Sequence, residues 1–200
     1  MFNKNYTRVT IYVSGLLLLA LGINLMITAQ VFGVSPWDAF FLALTQHFGF
    51  TVGFWMFWSN LFFSLLVFVF KRNYFTLGTI LTTIAISVFV DGLFWLLHEP
   101  LLYIPDLPAF LVGGTLIGFG IGVYVSTNIC FAPQEAFVLM VSDKFGWTYQ
   151  RTEIFLSIFI LLISISMAGK VGWGTLFLAF YVGIIIQASL KISQKYLLRT

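Results

Sequence analysis

Apolar residues run along this chain in long blocks that carry almost no charge. Blocks of about twenty residues, the length that crosses a bilayer as an α-helix, fall at 9–31, 51–70, 75–97, 108–129, 152–169 and 173–190. They predict six transmembrane helices. Two shorter amphipathic stretches, 36–48 and 133–146, each open on a proline and close on Phe-Gly. Neither is long enough to cross a hydrocarbon core of about 30 Å, so both are expected to be half-helices.

The polar punctuation repeats. "PWDAFFLALTQHFGFT" from 36 and "PQEAFVLMVSDKFGWT" from 133 agree at seven of sixteen positions at an offset of 97, with Asp38 opposite Glu135. "GIN" at 22 corresponds to "GIG" at 120, and "LGT" at 77 to "WGT" at 173. Asp91, twelve residues after Thr79, corresponds to Gln187, twelve after Thr175. The chain reads as a single membrane domain, 1–200, built from two repeats, 9–98 and 107–195, each with three long helices and one short one.

Charge orients the repeats. With half-helices that do not cross, Lys4, Arg8, Lys71, Arg72, Lys144, Arg151, Lys191, Lys195 and Arg199 fall on one side and only Lys170 on the other. Positive charge marks the cytoplasmic side, so both termini are expected in the cytoplasm, with the chain a multi-pass membrane protein. An odd number of crossings per repeat turns the second upside down. The expected fold is an all-α polytopic membrane protein of six transmembrane helices plus two half-helices in two inverted-topology repeats, a plan shared by many secondary transporters.

Composition excludes the alternatives. Apolar residues make up 60% of the chain and charged residues 8%, against about a quarter charged in soluble domains, so the natural solvent is a lipid bilayer. The net charge of +3 resides in flanking loops and indicates no nucleic-acid partner. One cysteine, Cys130, forms no intrachain disulfide and reads as a small apolar filler. Lys4 and Arg8 ahead of the first block imitate a secretory signal, but the block is too long and has a counterpart in the second half. No phosphate loop, zinc spacing or Ser–His arrangement is present, so no catalytic residue, metal or cofactor is expected.

Chemistry concentrates where the apolar blocks break. In "GVSPWDAF", Ser35 reads as an N-cap, Pro36 as the first helical residue and Asp38 as the third after the cap, which is a helix start. In the second copy Ala132 replaces the serine while Pro133 and Glu135 remain. An acid near hydrocarbon costs about 2.5 kcal/mol or more unless protein or water encloses it. The sharper reading is therefore that both half-helices dip inward and bring Asp38, Glu135, Trp37 and Gln134 to one cavity that binds a small molecule or cation or exchanges protons. Trp37 reads equally well as an interfacial anchor.

Asp91 and its counterpart Gln187 are further site candidates, and Asp91 also fits a solvated position at the outer interface beside Gly92 and His98. Arg151 and Glu153 read as a surface pair, and His47 and His98 as interfacial. Gly114, Gly118 and Gly122, four residues apart, form a small-residue stripe for close helix packing or for docking another protein. The Gly-Thr pairs at 78–79 and 174–175 start a helix in each repeat and could frame the mouths of a pathway.

Gly33, Pro36, Trp37 and Asp38, then Phe48 and Gly49, then Gly78, Thr79 and Asp91 resemble the signature of the YitT/YczE family of bacterial integral membrane proteins (YczE/YyaS/YitT type). The resemblance covers roughly 10–190. It implies an integral membrane protein and names no reaction. The second copy departs, with Gln134 and Glu135 for the Trp-Asp pair and Gln187 for the later acid. The functional expectation is a small secondary transporter or permease, not an enzyme, with its site between the repeats. The alternative is a membrane subunit or accessory protein acting with a second copy or with a partner such as an energising ATPase.

Overall fold

The computed structural model describes residues 4–71, 76–101 and 103–196. Eight α-helices follow in order: α1 (Lys4–Thr28), α2 (Pro36–Phe48), α3 (Val52–Phe70), α4 (Leu77–Leu101), α5 (Asp106–Ser126), α6 (Pro133–Phe145), α7 (Tyr149–Ser166) and α8 (Trp173–Tyr196). A single 3-10 turn, Gln30–Phe32, precedes α2. Six of the helices are long and apolar enough to span a bilayer, and among the described residues there is no strand. Expected and observed spans agree within four residues at each end, except that α1 starts five residues earlier and α8 ends six residues later than expected. Arg72 and Arg199 lie outside the described residues, as do the side chains of Lys4 and His98.

Local chemistry sets the ends of the short elements. Ser35 Oγ accepts from Asp38 N at 3.2 Å to start α2, whereas α6 starts at Pro133 with no side-chain cap on Ala132. Both stop at a glycine with positive φ, Gly49 at 75° and Gly146 at 65°, a conformation that a side chain disfavours. Thr51 and Thr148 then cap α3 and α7, accepting from Phe54 N at 3.1 Å and Arg151 N at 3.3 Å.

Glycines at the crossings give the helix directions. A Cβ on Gly15 would meet Tyr124 N at 2.7 Å and one on Gly22 would meet Gly113 O at 2.8 Å, so α1 and α5 cross backbone to backbone and run antiparallel. Gly114 faces Leu178, Gly118 faces Ile185 and Gly122 faces Ser189, so α5 and α8 run parallel. Likewise α1 runs parallel to α4, with the Tyr12 hydroxyl bonded to Thr82 and Asn24 Nδ2 donating to Val90 O.

Gly53, at the start of α3, abuts Asp91 toward the end of α4, so that pair is antiparallel. The end of α1 and the start of α3 thus share one end of the bundle. The short helix α2 enters and leaves there. Arg8 donates to Thr127 O, which puts the start of α1 beside the end of α5. There Val125, Ser142, Thr148 and Lys191 line one hollow, so α6 enters from the opposite end to α2. Each short helix packs chiefly on the far half of the chain, α2 on α7 and α6 on α3.

Candidate functional site

The first turns of α2 and α6 converge on a cavity of about 60 Å³. That is room for a few waters or a small cation, since one water needs about 10–15 Å³ by this measure. Asp38, Glu135 and Glu153 all line it and are 3%, 6% and 6% exposed. Ser35, Trp37, Asn60, Gln134, Tyr149 and Ser157 supply the other polar groups. No Lys, Arg or His is among the lining residues.

Each acid sits differently. Asp38 completes the cap of α2: the Ser35 hydroxyl donates to Asp38 Oδ2 at 2.6 Å while accepting from Asp38 N. Glu153, from the second turn of α7, accepts at Oε1 from the Trp37 indole N–H at 3.2 Å and from the Ser157 hydroxyl at 3.3 Å. Glu135, by contrast, is buried beside the Tyr124 hydroxyl, and its Oε2, like Asn60 Oδ1, makes no hydrogen bond of normal geometry among the described residues. Two helix N-termini supply partial positive charge here, equivalent to roughly half a unit each. Three carboxylates exceed that, so the cavity favours a cation or bound protons.

The structure brings together Asp38, Glu135, Trp37 and Gln134, with Ser35 and Pro36 also in the wall. Pro133 is buried at the start of α6. Asp91 is elsewhere. It accepts from the Thr51 hydroxyl at 2.7 Å and from Gly53 N at 3.0 Å, where its negative charge stabilises the N-terminus of α3. Gln187 is half-buried in the hollow that contains Lys191 and Thr148.

The surface-pair reading of Arg151 and Glu153 is corrected: Arg151 is exposed and Glu153 is buried in the cavity wall. Residues two apart on a helix point to different sides, and that spacing was the signal that could have revealed Glu153. Gly114, Gly118 and Gly122 lie under α8, so the stripe packs internally and presents no docking face. His47 Nε2 lies 2.8 Å from Met167 O at an exposed helix end. The two Gly-Thr pairs take matching positions, Gly78 against Cys130 and Thr175 against Gly33, beneath the turns that lead into α6 and α2. Among the described residues, no group of three His, Cys, Asp or Glu is arranged to hold a metal ion.

Six apolar spans and a carboxylate-lined cavity between two half-helices define a multi-pass α-helical membrane protein. The chain belongs to the Family of unknown function (DUF6198), whose model matches residues 6–191. It is 35% identical over 186 residues to the uncharacterized membrane protein YczE of Bacillus subtilis (strain 168), covering 93% of this chain and 86% of that one. It is 26% identical over 192 residues to the uncharacterized protein YyaS of the same organism, covering 94% of each chain. An uncharacterized protein of Haemophilus influenzae is 24% identical over 195 residues, covering 96% of this chain and 87% of that one. These matches support the YczE/YyaS-type resemblance carried by the turn at 33–38. No solved structure matches the chain.

Proposed function

We propose that the protein is a small secondary transporter of two inverted repeats, 9–98 and 107–195, with a proton or organic-cation site lined by Asp38, Glu135 and Glu153. One observation supports the reading: most of the cavity wall is built from positions that correspond between the two repeats. At offsets of 96 to 98 the lining pairs Leu19 with Ile117, Ile23 with Ile121, Asp38 with Glu135, Asn60 with Ser157 and Ile86 with Val182. The crossing of α1 and α5 behaves the same way. Gly15 and Gly22 correspond to Gly113 and Gly120, and the close approaches join Gly15 to Gly120 and Gly22 to Gly113. A site whose wall is drawn from both repeats is where alternating access between inverted repeats places a substrate.

Met56 corresponds to Glu153, so one face of the site carries an extra acid. In this reading the excess of Lys and Arg puts both termini in the cytoplasm and the protein in the bacterial plasma membrane. The chain is not an enzyme: it binds an ion and moves it, with no bond made or broken. Burial of the glycine stripe under α8 weighs against a subunit that docks an energising partner through that face. Purified protein alone in liposomes, with a trapped pH dye and an imposed Na⁺, K⁺ or electrical gradient, should carry cation or proton flux that Glu135→Gln abolishes. Flux equal to empty liposomes under every gradient contradicts the transporter.

A further inference from the structure

Trp37 belongs to two cavities. On one side its ring lines the acid cavity. On the other it closes an apolar groove of about 480 Å³ between α3 and α7, walled by Trp55, Trp58, Phe63, Phe159 and Ile160. Phe63, Phe159 and Ile160 lie in the inner turns of their spans, Trp55 lies near the start of α3, and Trp58 and Phe159 are exposed on the bundle's outer face. The indole is held edge-on against Phe63, ring centres 5.6 Å apart, and by its hydrogen bond to Glu153.

We infer that the ligand is an amphipathic organic monocation, an amine with an apolar body, that enters sideways from the bilayer through this groove with Trp37 as the leaf of the door. The inference rests on the carboxylate site proposed above and adds the substrate class. Charge selects the head, because three acids and no base line the inner cavity. Size selects the body, because about 60 Å³ holds an ammonium group and little more, whereas the groove accommodates an aromatic or aliphatic chain. Aromatic walls also attract a cation during its approach. The same contact couples the two steps: an ammonium bound to Glu153 Oε1 competes with the Trp37 N–H for that oxygen and frees the indole to move.

Three probes separate head from body in protein held in phosphatidylcholine nanodiscs: methylammonium, 4-phenylbutylammonium and the neutral 4-phenylbutanol. Calorimetric titration should show 4-phenylbutylammonium binding at least tenfold tighter than methylammonium, with 4-phenylbutanol failing to compete. Ser59→Trp, which fills the groove, should remove the tenfold advantage and leave methylammonium affinity unchanged. That unchanged affinity also shows the variant to be folded, and Ile163→Trp serves in its place if Ser59→Trp does not fold. Equal affinity for the two amines, an advantage that survives groove filling, or equal binding of 4-phenylbutanol overturns the lateral route while leaving the carboxylate site standing. Absence of methylammonium binding, or binding indifferent to Glu135→Gln and Glu153→Gln, removes the site and the route together.

Discussion

The indole N–H of Trp37 donates to Oε1 of Glu153 at 3.2 Å, joining residues 116 apart in sequence. The bond fastens the half-helix α2 to the long helix α7 in the wall of the acid cavity. Hydrogen bonds to charged groups contribute about 1.5–3 kcal/mol, and a buried acceptor left alone costs its desolvation as well. Trp37→Phe should therefore lower the thermal midpoint in detergent by the equivalent of about 2 kcal/mol. Glu153→Gln, which keeps an acceptor oxygen, should cost less. An unchanged midpoint for Trp37→Phe would show that the bond does not hold α2 in place.

Ser35 serves the same helix twice, capping Asp38 N and donating to Asp38 Oδ2. Ser35→Ala should cost about 1 kcal/mol, the usual loss of an N-cap. Ala132, at the corresponding position, makes no such bond. Ala132→Ser should be stabilising or neutral if its hydroxyl reaches Glu135 N, which chemical denaturation of the purified variants would measure.

Glycine substitutions should divide by environment. At Gly118 a Cβ would sit 2.8 Å from Ile185 Cβ and 3.1 Å from Val182 O, so Gly118→Leu forces α5 off α8. Overpacking of this kind costs about 1–3 kcal/mol. Gly92, within α4, has nothing within 4 Å of a Cβ. Gly92→Ala should stabilise by up to about 1 kcal/mol through helix propensity. Equal midpoints for the two variants would contradict the α5–α8 packing.

Much of this architecture was legible in the sequence because bilayer thickness acts on length. Apolar blocks announced the spans, while Pro36, Pro133, Gly49 and Gly146 announced the short helices through backbone constraints that operate locally. The convergence of Asp38 with Glu135 was legible through the repeat. Glu153 was hidden because its neighbour Arg151 offered an easier partner and its own counterpart is the apolar Met56. Asp91 could not be assigned from sequence. Its role depends on Thr51 and Gly53 arriving from another helix, and a carboxylate inside a span looks the same whether it caps a neighbour or binds an ion.

Topology tests the orientation of the whole. In a Cys130→Ala background, single cysteines at Lys71, Lys144 and Lys195 should react with an impermeant maleimide only after the inner face is opened, and one at Glu99 in intact cells. Labelling of Lys71→Cys from outside would overturn the inverted arrangement.

The carboxylate site itself is tested by thermal unfolding of the wild type and of Asp38→Asn/Glu135→Gln/Glu153→Gln, from pH 5 to 9, with Na⁺, K⁺ or methylammonium chloride against N-methylglucamine chloride at equal ionic strength. A ligand that binds only the native state raises the midpoint, and protons compete with cations for the same oxygens. The account predicts a wild-type midpoint that rises with at least one small cation and loses that response as the pH falls, and a triple variant that folds and responds to none. Superimposable curves for the two proteins would contradict it.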